Sequence, residues 1–210
     1  MRRTTSGEII DSDNLNNFCY DNAVIVTYFG NGCFRLQSGE VSLLTNPANN
    51  RLKADVVLRT IIAPNVQAPP EEIVLPGEYE VKDIEVRGWP ITKESTEKYL
   101  KTVYLVTWED MRFVFLGHVS AMLPDDVIEE ISEPDVLFVP TGEHLLSGAD
   151  AAKLIKKLEP AVIIPSFFKN ANEFLKALGQ KGEHVEKLVF RKKDIAGAKG
   201  RIVVLEAKGQ

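Results

Sequence analysis

The chain has 210 residues, 44% hydrophobic and 26% charged, with a formal net charge of −5; this is an ordinary composition for a soluble globular protein with a substantial core. No apolar run approaches the ~20 residues that span a bilayer, and Met1 to Tyr20 never develop the apolar core of a secretion signal, so a cytoplasmic protein is expected. Cys19 and Cys33 offer no disulfide framework and no Cys-x-x-Cys metal knuckle, and are expected to be reduced, buried thiols.

Residues 1–22 are polar and rich in Asn, Asp and Ser, and read as an extension that is either mobile or laid across the body or a partner, with residues 23–210 forming one domain. From Ala23 the texture changes. Val24 to Phe29, Cys33 to Gln37 and Val41 to Thr45 are strands joined by the turns Gly30-Asn31-Gly32 and Ser38-Gly39-Glu40, a meander. Val56-Val57-Leu58 is a buried strand entered through Asp55, leaving through Thr60 into a loop broken by Pro64. Strands follow over Glu71 to Leu75, Glu78 to Lys82 and Ile84 to Trp89, then a hairpin of Tyr99 to Trp108 and Met111 to Leu116 around Glu109-Asp110.

Helices come only afterwards. Pro124-Asp125-Asp126 starts a short one, with Pro in the first turn and carboxylates near its positive end. Asp150 opens a second, with Ala151, Leu154, Ile155 and Leu158 on one face, ending before Pro160. Asn170 and Glu173 have capping-box spacing for a third, ending at Gly179. Strands at Asp135 to Pro140, Ala161 to Pro165, His184 to Phe190 and Arg201 to Leu205 complete the chain. The fold class is α/β, a β-rich first half followed by helices packed over a mixed sheet.

Several stretches resemble the metallo-β-lactamase superfamily, in particular its compact zinc-dependent hydrolases related to ascorbate-phosphate lactonases. They are Thr27 to Phe34, Ala54 to Leu58, Pro76 to Val81, Leu116-Gly117, Asp135 to Gly142 and Ile163-Ile164-Pro165, in order from about residue 23 to 205. The resemblance implies a four-layer αββα sandwich with its site at one edge, between the sheets. It also implies a His-x-His-x-Asp-His run just after Thr60, a later His, an Asp after a Leu-Gly pair and a final His after an Ile-Pro pair. Carried over, the run falls on Ile61, Ala63, Asn65 and Val66, the later His near Thr92 or Lys93, the Asp on His118 and the final His on Phe167. Where relatives often have Asp-Pro, this chain has Asn46-Pro47.

A catalytic zinc needs three protein ligands and an open position for the water it acidifies. Ile, Ala, Val and Phe offer no lone pair, Asn65 is a weak neutral donor, and the whole chain has 3 histidines, His118, His144 and His184. No catalytic metal or other cofactor is therefore expected. The alternative is a metal-dependent hydrolase with a rebuilt site of two His and one carboxylate from His118, Glu143 and His144, a donor set that suits zinc or iron. A metal-free enzyme with His118 as base and Ser120 or Thr141 nearby lacks a Gly-x-Ser-x-Gly elbow and an evident orienting carboxylate. His184 reads as a surface residue. Phe167, Phe168, Trp89, Ile61 and Val66 would make the former site greasier, as core or as a small apolar pocket.

Charge is uneven: residues 1–149 hold 12 Lys+Arg against 23 Asp+Glu, residues 150–210 hold 13 against 7. The basic last third, with Lys153, Lys156, Lys157, Lys169, Lys176 and Arg191-Lys192-Lys193, could favour anions, but no phosphate-binding Gly loop or RNA-binding motif accompanies it and nucleic acid is not expected. The sequence points to a pseudoenzyme of hydrolase-like fold that acts as a binding, scaffold or interaction module, with a protein partner or homo-oligomer and no membrane.

Overall fold

The computed structural model describes residues 23–65 and 67–209; residues 1–22, read above as an extension, with Cys19 among them, and Val66 lie outside them. The first strands are β1 (Val24–Tyr28), β2 (Phe34–Ser38), β3 (Val41–Thr45) and β4 (Val56–Leu58). Next come β5 (Ile61–Ile62), β6 (Glu72–Ile73), β7 (Gly77–Val81), β8 (Ile84–Pro90), β9 (Leu100–Trp108) and β10 (Met111–Phe115). The second half runs α1 (Asp125–Glu130), β11 (Val136–Pro140), α2 (Gly148–Leu158), β12 (Val162–Ser166), α3 (Asn172–Leu178), β13 (Glu183–Val185), β14 (Lys187–Phe190), α4 (Lys192–Ile195) and β15 (Arg201–Leu205).

Two sheets result. One has the order β14-β1-β2-β3-β4-β6, its first three strands the expected antiparallel meander. The other is nine-stranded, β13-β15-β12-β11-β10-β9-β8-β7, with β5 added on β9. The sheets bury one apolar layer between them. In it Phe138 stacks on Phe115 at 4.3 Å and meets Phe34 at 4.6 Å, and Phe34 stacks on Tyr28 at 4.6 Å. A second core lies under the helices, where Leu154 and Leu158 of α2 and Phe174 of α3 cover Leu137, Val139 and Ile163. Alternation explains the split: Phe113, Phe115 and Phe138 serve the first core, and Val114, Leu137 and Val139 the second. The β-rich first half and helical second half are as expected, and all four described helices follow Pro124.

Local details differ from expectation for physical reasons. Ile61 and Ile62 are not loop: this β-branched pair leaves the first sheet after Leu58 and pairs with Lys101 and Leu100 of β9, so the chain crosses between the sheets at Thr60. Helix α2 starts behind Ser147 rather than at Asp150, because the Ser147 hydroxyl accepts the Asp150 N–H at 3.1 Å and donates to its carboxylate at 2.8 Å. Asn170 stands one residue before the cap position and accepts the Asn172 N–H at 2.9 Å, while Gly179 closes α3 at φ +63° as expected. The single strand expected over His184 to Phe190 is divided at Glu186: β13 joins β15 in one sheet and β14 joins β1 in the other. The one-turn α4 was not foreseen.

Phe138 is 2% exposed and touches aromatic rings from both sheets. Phe138→Ala is expected to cost about 3–5 kcal/mol of stability in urea unfolding, whereas Val189→Ala, at a site 50% exposed, should change it by under about 0.5 kcal/mol.

Candidate functional site

The turns that follow β3, β4, β10 and β12 converge at one edge of the sandwich. Asn46 (φ +43°) follows β3 and grips the crossing residue: its side-chain carbonyl accepts the Thr60 N–H at 2.9 Å and its amide donates to Thr60 Oγ1 at 2.9 Å. Arg59 steadies this clamp, donating to the Pro47 carbonyl at 2.7 Å and forking onto Glu72 at 2.8 and 2.9 Å. Thr60, 1% exposed, also meets His118 Nδ1 at 2.9 Å through Oγ1. Gly117 permits this approach, since a Cβ there would lie 2.3 Å from Thr60 Cβ, at φ +60°. A neutral hydrogen-bonded chain, Asn46–Thr60–His118, thus joins the two sheets.

Phe167 lies against this chain. Its ring meets His118 edge-on at 4.7 Å, its N–H donates to the Tyr28 hydroxyl at 3.0 Å, and its backbone is held at φ +61°. Gly32 makes room, because a Cβ there would sit 2.1 Å from Phe167 Cζ. Burial, and secondarily the Lys101 ammonium, push the His118 imidazole down to about 4. The ring is neutral at physiological pH.

Lys101 stands opposite Ile61 across the β5–β9 pair, and its ammonium donates to Glu94 at 2.8 Å. Both side chains are nearly buried. Glu94 also accepts from the Ser120 hydroxyl at 2.6 Å, the Ser120 N–H at 2.8 Å and the Ala121 N–H at 3.0 Å. Burial raises the Glu94 carboxyl, but the bonds from Lys101 and Ser120 outweigh it and hold it below the ordinary range. This cluster was missed in the sequence. Thr92 and Lys93, near which the later His was placed, are exposed, and the buried acid is the next residue. Its partner Lys101 is identifiable only from the pairing of β9.

The remaining candidates lie apart. Ile61 is partly buried, while Ala63 and Asn65 are exposed. Glu143 and His144 are 79% and 89% exposed, with His144 Nε2 3.6 Å from the carboxylate. They line a separate groove of about 750 Å³ with Leu145, Ser147, Phe168 and Lys169, and Phe167 forms its wall. His118, Glu143 and His144 are not gathered into one site, and among the described residues no group of three His, Cys, Asp or Glu could hold a metal. Ser120 is committed to Glu94 rather than His118, and Thr141 donates to the Ser166 carbonyl at 3.1 Å. Trp89 packs on the helix-side core rather than between the sheets, with the Arg87 guanidinium 5.1 Å above it. His184 is exposed, as expected.

Zinc does not fit this donor set. His118 Nδ1 is tied to the Thr60 hydroxyl, the adjoining Asn46 and Thr60 side chains are neutral, and the nearby carboxylate is filled by an ammonium and three other donors. A dication would meet the repulsion of Lys101 instead of ligands.

Comparison with known proteins now gives this edge its context. A profile described as "Beta-lactamase superfamily domain" matches residues 25–166. A protein of Archaeoglobus fulgidus named as a UPF0173 metal-dependent hydrolase is 28% identical over 96 residues, which is 42% of this chain and 42% of that protein. A crystal structure from Thermotoga maritima, classed with the Zn-dependent hydrolases of the metallo-beta-lactamase superfamily, superposes with a TM-score of 0.72 at 25% identity, covering 88% of this chain and 100% of that one. A metallo hydrolase from Ignicoccus hospitalis superposes with a TM-score of 0.60 at 16% identity, covering 90% and 97%. By the extent of the profile match, the chain belongs to the beta-lactamase superfamily domain family.

Proposed function

We propose that this chain is a pseudoenzyme of the metallo-β-lactamase fold, without a catalytic zinc site, that works as a binding or scaffold module for a protein. One observation carries this reading: His118, onto which the resemblance carries an acidic ligand, spends Nδ1 on Thr60 and lies edge-on to Phe167. A former metal edge has become a closed latch. The relatives' names speak of metal-dependent hydrolysis, but the donors here do not fit the metal. Neither neighbouring group is set up as a general base: burial leaves the His118 imidazole weakly basic, at about 4, and Glu94 is a carboxylate already bonded by Lys101, Ser120 and the Ala121 N–H. A protein-binding role is the use that remains for a preserved framework of this size.

The first test is metal content. Untagged protein incubated with excess zinc and freed of unbound metal should hold far less than one zinc per chain by elemental analysis; tight stoichiometric binding would overturn the reading. The second concerns His118. Its folded value, about 4, lies below the ~6.5 of an unfolded histidine, so the unfolded chain takes the proton first. The stability owed to the neutral ring is complete above pH ~6.5 and is lost as pH falls toward 4, on the order of 3 kcal/mol at most. His118→Asn keeps a polar atom near Nδ1 but cannot titrate, and should lack this part of the pH dependence in denaturant melts. An NMR titration placing His118 near 6.5 would mean a solvated, available base, contrary to the proposal.

A further inference from the structure

We propose that the free edge of β7 is a docking strand for an extended segment of a partner protein in which apolar and basic residues alternate. The inference rests on the protein-binding reading above and names the surface and the chemistry of its partner.

Strand β7 ends the nine-stranded sheet, paired with β8 on one side and with no described strand on the other. The turn joining them is the two residues Lys82 and Asp83, both at positive φ, closing on the Val81–Ile84 pair. Alternation from that pair fixes the rest. Val81, Tyr79 and Gly77 turn their backbone groups toward β8, while Glu78 and Glu80 turn theirs to the open side. The edge thus presents N–H and C=O groups of two residues to an incoming strand.

The side chains state what that strand should carry. Glu80 faces Glu85 directly across the hairpin, at a pair where side chains approach most closely, and both are exposed. Directly opposed like charges destabilise a hairpin. Neither carboxylate has an ion-pair partner among the described residues, although Arg87 of the same hairpin is engaged by Glu78 at 3.2 Å and Glu130 at 3.1 Å. Lys82 is taken by Asp55. A basic side chain from an added strand would sit beside this pair and relieve it. On the opposite face, Val81 is 38% exposed, and Leu75, just before the strand, is 48% exposed. Both are among the few large apolar side chains that the described surface leaves open. An added strand would extend that apolar face with every second residue.

A second copy of this chain does not suit the edge. Antiparallel pairing of β7 with itself about Tyr79 would set Glu78 of one copy against Glu80 of the other, adding repulsion to a surface already overcharged.

The test uses the full chain and a short synthetic peptide alternating valine and lysine, with an alternating valine–glutamate peptide as control. Affinity is read by calorimetry at low salt and at ~0.15 M salt, and hydrogen exchange of the Glu78 and Glu80 amides is followed by NMR. The lysine peptide should bind and slow exchange at these two amides, and the glutamate peptide should not bind. The double variant Glu80→Gln/Glu85→Gln should bind about tenfold more weakly. Glu80→Pro removes only an outward N–H, so its melting curve should be little changed while binding is lost. Absent binding, equal binding by the variants, or binding without protection of these amides would overturn the proposal. So would concentration-dependent protection without peptide, the mark of self-association. Failure here with zinc still absent would leave the pseudoenzyme reading intact; stoichiometric zinc would remove that reading whatever the peptide did.

Discussion

Thr60 is the constraint on which this edge of the molecule depends. Between Leu58 and Ile61 the chain leaves one sheet and enters the other, and the residue at the crossing must satisfy its backbone away from either ladder's interior. It does so by donating its N–H to Asn46 and giving its carbonyl to Thr102, while its hydroxyl reaches His118. Asn46 belongs to the turn after β3 and His118 to the turn after β10, so both sheets are anchored to one side chain. Unpaired buried polar groups are costly, and here the buried hydroxyl, amide and imidazole satisfy one another.

The surrounding residues form a consistent set. Phe167 is a bulky residue in a backbone conformation that favours glycine, and it fits because Gly32 leaves space under its ring and Gly142 under its carbonyl. Gly117 serves Thr60 in the same way. A metal-binding edge keeps donor atoms free of protein partners. This one is packed, neutral at His118 and cross-linked by hydrogen bonds. That condition opposes the demands of a catalytic metal site, which needs donors left unsatisfied by the protein and an open position.

Much of the architecture was legible because it rests on short-range signals. The meander of β1 to β3, the buried strands β4, β11 and β12 and the helices α1 to α3 follow from alternation, apolar runs and turn residues. The features that escaped depend on pairing between distant segments. Whether Ile61-Ile62 is loop or strand is decided by β9, some forty residues on, and the division of β13 from β14 by which sheet each half meets. At the site, the edge-on contact of His118 and Phe167 is set by two distant turns, but each residue was legible as a candidate from the resemblance. The Glu94–Lys101 pair was not, since nothing local to either residue distinguishes them from surface charge. The helix-side packing of Trp89 was not legible for a related reason: periodicity gives the alternation of β8 but not which of two cores each face serves.

The uneven charge of the chain also changes meaning once the fold is known. Part of the basic last third is answered within the molecule, five of its 13 cations: Lys157 by Asp125, Lys153 by Asp150, Lys192 by Asp135, Arg191 by Asp194 and Arg201 by Glu183. Two of these pairs, Lys157–Asp125 and Lys192–Asp135, cross from the basic third to the acidic first part of the chain. Each exposed pair is worth little in stability, but together they leave less uncompensated positive charge than the composition suggests. The acidic excess is resolved less evenly. Asp55, Glu72 and Glu94 have cationic partners in the fold, while Glu80 and Glu85 face each other at a sheet edge. The sequence asymmetry thus becomes a local imbalance at the β7–β8 hairpin, where unpaired carboxylates and open backbone groups coincide.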